Sequence, residues 1–310
     1  MQQLTDWLMA GDPAIRWQTQ RYLLGAPDAV WCAERQRTAA AGWGAQFLAH
    51  QDADGRWGSG VYSPKWVSTT YTLLVLIGIG IPPSCDAAQR GAHRVLNELL
   101  GAQADAAFHR QLAGLDRCIV GMVLQIGVYF GIDDARIELI VENLLAEMMP
   151  DGAWNCRRHR RPAPQHSSFH TTLNVLEGLR IYAEQDAGAL KTDVLAAEQQ
   201  AREFLLQHRL YKSDHSGEVI NPKFTMLSYP PRWHYDVLRG LSYFARAGAP
   251  RDARLQDAVA LLKSRRRPDQ TWPVQQRYAG KEFFVMEKTG GPSRWNTLRA
   301  LRVLRWWEAP

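Results

Sequence analysis

The stretch "FLAHQDADGRWGSG", residues 47–60, sets a glutamine, a tight turn and a tryptophan in quick succession. Related stretches return as "MMPDGAWNC" at 148–156 and "RRRPDQTWPV" at 265–274. Asp54-Gly55, Asp151-Gly152 and Asp269-Gln270 stand shortly before Trp57, Trp154 and Trp272. Asp-Gly turns a chain sharply because glycine accepts positive φ. A Trp placed after such a turn can stack over it, or against Gln51, and lock neighbouring elements. The recurrence predicts one joint used several times in a repeated helical unit. The competing role for these Trp residues is stacking on a sugar or another substrate.

Working outward, five apolar segments recur between the joints: 68–81, 117–132, 167–183, 233–248 and 294–307. Their spacing, roughly 50 to 65 residues, is of the order of a helical repeat. Length and pattern suit helices, and the first two are apolar nearly all round, as buried helices are. Amphipathic stretches separate them, including "AAQRGAHRVLNELLGA", "DARIELIVENLLAEMM", "KTDVLAAEQQAREFLLQ" and "RDARLQDAVALLKSRR". These read as outer helices with one wet face. Asp12-Pro13 is an N-cap followed by proline at the first helical position. Gly80 to Pro83 and Gly248 to Pro250 are helix stops. Strands are expected to be few and short, "KEFFVMEK" (281–288) being one candidate. The expected fold is all-α: a closed ring of helical hairpins, with five to six inner helices surrounded by outer ones. It spans 1–310 as one domain, with 1–40 an N-terminal hairpin leading into the ring. An open solenoid is the rival arrangement.

The bulk composition bounds the function. Residues are 46% apolar and 22% charged, which suits a globular chain with a sizeable core. A net charge of +6 over 310 residues favours anionic ligands without demanding nucleic acid, and no nucleic-acid partner is expected. No apolar run is long enough for a transmembrane helix, although peripheral membrane contact stays open. The N-terminal residues do not read as a secretory signal, so the cytoplasm is the expected compartment. The four cysteines stand far apart, without any C-x-x-C pair, and read as free thiols.

Phe47-Leu48, Gln51, Gly55 and Trp57 resemble the QW repeat of squalene and oxidosqualene cyclases, with one residue fewer between Leu48 and Gln51. Leu145, Asp151-Gly152 and Trp154 resemble a copy without the Gln. Asp269-Gln270 and Trp272 resemble a third, without the Gly, and Phe204 to Gln207 begins a fourth that never reaches a Trp. The resemblance implies the α/α toroid shared by terpenoid cyclases and protein prenyltransferase β subunits. It also implies a central cavity for an apolar, isoprenoid-type small-molecule ligand. Prenyltransferase β subunits bind zinc through an Asp-x-Cys and a distant His that opens an inner helix. "FHTTLNVLEGL" is similar to that His segment and points to His170, but the chain has no Asp-x-Cys; Cys156 follows Trp154-Asn155 instead.

The residues themselves offer a candidate site. The long loops precede the inner helices at 167, 233 and 294, so they should gather over helix N-termini, where unpaired N–H groups favour an anion such as diphosphate. Aligning "VLEGL", "VLRGL" and "LRAL" stacks Asn174, Asp236 and Asn296 at one level, with apolar residues near Leu74 and Met122 at that level in the first two repeats. One turn nearer the mouth come His170, Trp233 with His234, and Arg294 with Trp295. Asp236 is the one carboxylate of the set and the first candidate for a general acid or metal ligand, helped by His170 and His234. Its alternative is a helix cap, or a partner for Arg232. Trp154, Trp233 and Trp295 would shield a cation with their π faces. Cys156, His159, His166 and His170 have zinc-ligand chemistry, so a zinc held by Cys156, His170 and Asp236 is the expected cofactor set; the alternative is loop residues without metal. Arg157, Arg158, Arg160 and Arg161 could grip phosphate oxygens, or form a solvated loop.

The squalene-cyclase acid motif D-x-D-D is absent: "QDADG" belongs to the joint, and "GIDDAR" reads as a cap for the next outer helix. The expected function is therefore that of a terpenoid cyclase- or prenyltransferase-like protein, with catalysis left open. The rivals are a carbohydrate-active toroid, which needs convergent carboxylates, and a non-catalytic binding scaffold.

Overall fold

The structure is a computed structural model and describes residues 2–132, 134–156, 162–185 and 188–309. Helix dominates it. The first four helices are α1 (Gln2–Met9), α2 (Pro13–Thr19), α3 (Asp28–Gln36) and α4 (Gly42–Ala49). Then follow α5 (Thr69–Ile79), α6 (Asp86–Leu100), α7 (Ala106–Gly114), α8 (Arg117–Tyr129), α9 (Arg136–Ala146), α10 (Phe169–Ala183) and α11 (Lys191–Gln207). The last three are α12 (Val237–Arg246), α13 (Gln256–Ser264) and α14 (Arg294–Glu308). Each of the five apolar segments is a helix, and so is each of the four amphipathic stretches. Helix α7 answers to none of them. The sheet among the described residues is one antiparallel pair, β1 (Trp272–Pro273) with β2 (Pro292–Ser293). "KEFFVMEK" is irregular instead of a strand. Its Phe284 packs on Phe47 with ring centroids 4.7 Å apart, and its Glu287 turns to the start of α14.

The chain divides by contact into two compact units: Met1–His50 with Gly78–Pro82 and Leu206–Pro310, and Gln51–Ile77 with Pro83–Leu205. They are called here the end unit and the middle unit.

The three joints share one hydrogen-bond pattern. Gly55, Gly152 and Gln270 donate their N–H to Asp52, Met149 and Arg267, each at 2.9 Å. Asp52, Met149 and Arg267 in turn donate to the carbonyls of Arg56, Ala153 and Thr271, each at 2.8 Å. This pairing closes a short hairpin whose last turn residue is left-handed. The φ values there are +89° at Gly55, +82° at Gly152 and +67° at Gln270. The next residue but one is the Trp, and all three Trp side chains are fully buried. Each Trp backbone N–H is taken by a threonine hydroxyl in the first turn of the inner helix that follows: Thr69 (3.0 Å), Thr172 (3.2 Å) and Thr297 (2.9 Å). The indoles of Trp154 and Trp272 donate back to Leu144 and Leu262, near the end of the outer helix that precedes. At Trp154 and Trp272 the joint therefore ties the preceding helix to the following one through one buried, hydrogen-bonded ring, with the indole N–H satisfied as burial requires. Gln51 does not stack on Trp57; its amide donates to Gly55 and to Ala87 of α6, tying the turn to the next outer helix.

In the middle unit the inner helices α8 and α10 run parallel. A Cβ at Gly121 would lie 2.6 Å from the Asn174 carbonyl, and one at Gly178 would lie 2.5 Å from the Gly121 carbonyl and 3.4 Å from the Gln125 nitrogen. Positions therefore advance together along both helices, and the backbones meet where side chains are missing. Caps hold the helix starts. Ser168 accepts from Thr171 N–H at α10, Asp236 from Arg239 N–H at α12 and Ser293 from Asn296 N–H at α14. Asp12 caps α2 with Pro13 behind it, as its sequence indicates, and Gly80 and Gly248 end their helices at φ +83° and +58°. Asp134 accepts from Arg136 N–H at α9, while Asp133 lies outside the described residues.

In the end unit, the final helix packs on the first ones. The Arg294 guanidinium donates to the Trp7 carbonyl (2.9 Å) and lies over the Trp7 ring. Arg302 donates to Gln18 (2.9 Å) with its guanidinium 3.6 Å from the Tyr22 ring centroid, and Arg305 donates to the carbonyls of Tyr22 and Leu23. No helix among the described residues is long and apolar enough to cross a membrane.

Candidate functional site

The caps reset the alignment of the inner helices. Asp236, Ser168 and Ser293 are equivalent positions, each accepting from the N–H three residues on. By the same register Thr171 corresponds to Asn296, and Asn174 lies three residues further along. Counted from the cap of its own helix, each of Asn174, Asp236 and Asn296 therefore stands at a different position, because the matched apolar cores begin at different points of their helices. Asn174 is buried in the middle unit and donates to the carbonyl of His170 (2.6 Å). Asn296 is buried in the end unit, donates to the Pro273 carbonyl (3.0 Å) and accepts from Arg299 (3.3 Å).

Asp236 is fully buried, and its carboxylate accepts from Arg239 N–H (2.8 Å), Ser228 N–H (3.1 Å) and the Ser228 hydroxyl. That is the helix-cap alternative. Arg232 pairs with Glu282 (2.9 Å), which also holds Arg277. Trp233, His234 and Tyr278 form a half-buried stack, with centroids 3.7 Å and 3.6 Å apart. Burial raises the Tyr278 phenol to about 12.

Trp295 lies between two more rings: Tyr229 stacks on it at 4.9 Å, and Trp43 meets it edge-on at 6.1 Å. Glu287, which the sequence leaves unmarked, accepts from Trp295 N–H (3.0 Å) and from the Ser293 hydroxyl. Burial raises its pKa above the ordinary carboxylate range, against the pull of those hydrogen bonds. Burial likewise raises Asp12, which accepts from Ala14 N–H (2.9 Å) and Trp43 N–H (2.7 Å). Tyr229 is pushed far up, chiefly by burial, and the charges of Glu287 and Asp12 both act on it in the same sense. The end unit therefore holds an aromatic array and two carboxyl groups whose pKa values burial raises. Arg294, expected in the site, is committed to Trp7.

In the middle unit, Trp154 is the buried joint described above and presents no face to a ligand. Cys156, in the loop after it, has its sulfur 3.3 Å from Cys118 Sγ at the start of α8 and 3.3 Å from Thr171 Oγ1 at the start of α10. The hydrogen bond between the two sulfurs holds Cys156 below the ordinary thiol value and Cys118 above it. Tyr62 and Tyr71 share a hydroxyl–hydroxyl bond of 3.0 Å, and Tyr62 is raised to about 12, first by burial and then by the neighbouring Cys118, Asp116 and Cys156. Sequence spacing conceals the sulfur pair, because 38 residues separate its members.

The expected zinc set does not fit. Among the described residues no group of three or more His, Cys, Asp or Glu side chains could hold a metal ion. Cys156 is engaged with Cys118 and Thr171, and the Asp236 oxygens are taken by Ser228 and the α12 N-terminus. Arg157, Arg158, His159, Arg160 and Arg161 lie outside the described residues.

No protein-family model matches the chain, and no curated protein matches it. Among solved structures, the chain is similar to a crystal structure of a protein from Actinoplanes, at 16% identity and a TM-score of 0.45, over 95% of this chain and 90% of that one.

Proposed function

We propose that the hairpins close into an α/α toroid of the terpenoid cyclase and prenyltransferase kind. The end unit would bind an apolar small molecule of isoprenoid class against its aromatic array, without a resident zinc. The supporting observation is the Trp43–Trp295–Tyr229 array, with the half-buried Trp233–His234–Tyr278 stack in the same unit. Flat, polarisable faces suit an unsaturated chain. Glu287 replaces Asp236 in this reading, because every hydrogen bond of the Asp236 carboxylate described above serves its own helix or Ser228. No alkene protonation is assigned to Glu287: a carboxyl with a raised pKa is a weaker acid, which is the wrong direction for that step.

A second reading has its own support. A carbohydrate-active toroid needs two carboxyl groups, and Asp12, although it caps α2, is the one that would act with Glu287: burial raises both, and the charges of both act on Tyr229. Calorimetric titration with geranylgeraniol, geranylgeranyl diphosphate and a set of neutral oligosaccharides separates the two. The isoprenoid reading expects binding of the first two and about a tenfold loss in Trp43→Ala, the worth of one aromatic face. Binding of oligosaccharide alone transfers the site to the second reading, and no binding of any ligand removes both.

A further inference from the structure

We propose that Cys118 and Cys156 form a peroxide-responsive dithiol, which closes to an intramolecular disulfide and reopens on reduction by a thiol. The site belongs to the middle unit and does not depend on the ligand proposed for the end unit.

The sulfurs already lie 3.3 Å apart. A disulfide needs about 2.05 Å, so side-chain rotation has only about 1 Å to close. Both residues are half-buried, not sealed in the core. Their backbones are held independently: Cys118 by the first turn of α8, and Cys156 by the loop after the Trp154 joint, where its N–H donates to Asn155 Oδ1 (2.8 Å) and the Asn155 amide donates to the His166 carbonyl. The Thr171 hydroxyl stands beside Cys156 Sγ and can donate to it when it carries charge. The Cys156 sulfur, flanked at 3.3 Å by both the Cys118 sulfur and the Thr171 hydroxyl, is the member that attacks first. The other two cysteines, Cys32 and Cys85, have no sulfur neighbour among the described contacts.

The chemistry balances with a hydroperoxide as oxidant. The Cys156 thiolate attacks one peroxide oxygen; an S–O bond forms, the O–O bond breaks, and hydroxide leaves with the electron pair, giving a sulfenic acid. The Cys118 sulfur then attacks the Cys156 sulfur. An S–S bond forms, the S–O bond breaks, and the hydroxyl leaves as water with the Cys118 proton. A thiol reductant returns both cysteines to thiols while it becomes a disulfide. The cross-link would tie the start of α8 to the loop leading into α10, at the end of the middle unit where Tyr62, Tyr71 and Thr171 stand.

The full chain is treated with hydrogen peroxide at neutral pH, alkylated, unfolded and mapped by mass spectrometry. The expected result is a fall from four free thiols to two, with a peptide pair joined through Cys118 and Cys156, reversed by dithiothreitol. In Cys118→Ser, Cys156 should accumulate as a sulfenic acid that dimedone traps; in Cys156→Ser, Cys118 should stay reduced. Four remaining thiols, a cross-link only through Cys32 or Cys85, or oxidation of Cys156 to sulfinic acid in the wild type without a Cys118 bridge would each overturn the proposal. The wild-type map decides even if a variant folds poorly.

Discussion

Gln270 holds a left-handed backbone conformation that glycine occupies at the two other joints, Gly55 and Gly152. A side chain there costs about 1–2 kcal/mol, part of which glycine's freedom in the unfolded chain would take back. Gln270→Gly should therefore stabilise the protein by about 1 kcal/mol, seen as a rise of about 2–4 °C in melting temperature. An unchanged or lower melting temperature would show that Gln270 contributes something its backbone does not reveal. At this scale the sequence is legible where the bonds are local. Asp-Gly before Trp announces the joint because turn and Trp fall within a few residues, whereas the threonine that takes the Trp N–H stands 12, 18 and 25 residues further on. Asp236 is legible only as a choice between acid and cap, since a cap is recognised by the N–H groups it meets and not by its own letter. Glu287 and Cys118 are not legible at all, because burial and a distant partner define them.

Between elements, contact without side chains governs the α8–α10 pair. A methyl at Gly121 would sit 2.6 Å from the Asn174 carbonyl and 2.7 Å from the Val175 Cα, both backbone atoms that cannot rotate away. Gly121→Ala should therefore destabilise by about 2–3 kcal/mol, the upper range for overpacking, and lower the urea midpoint without changing its slope. Gly114→Ala, where nothing stands within 4 Å, is the control and should stay near the wild-type midpoint. Helix positions follow from apolar period because α5 and α8 are apolar nearly all round and the amphipathic helices are wet on a single side. Helix α7 escapes that reading: only Phe108 and Leu112 are buried in it, too few to make a period.

For the molecule as a whole, the sequence suggests one domain of 1–310, and within that chain the contacts gather into two compact units. Repeats of similar make-up do not announce which neighbours they hold most tightly. The end unit draws its members from both ends of the chain, and α14 holds α1 through Arg294, α2 through Arg302 and the turn after α2 through Arg305. A chain stopped after Ser293 should lose that grip. Amide exchange in α2 would accelerate by about a hundredfold or more, while α8 and α10 keep their protection. Equal loss in all three helices would show that the units unfold as one.

The grip of α14 on α1 also orders events in time. As the ribosome extends the chain from its amino end, the first fifty residues emerge long before their closing partner exists. Residues 51–205 meet nearly all of their own partners within one continuous stretch, so they can settle first, while the opening helices wait, solvent-bathed, for the final fifteen residues of helix to leave the exit tunnel. Chaperone capture of ribosome-bound chains should accordingly be strongest on residues 1–50 and cease only once α14 has left the exit tunnel.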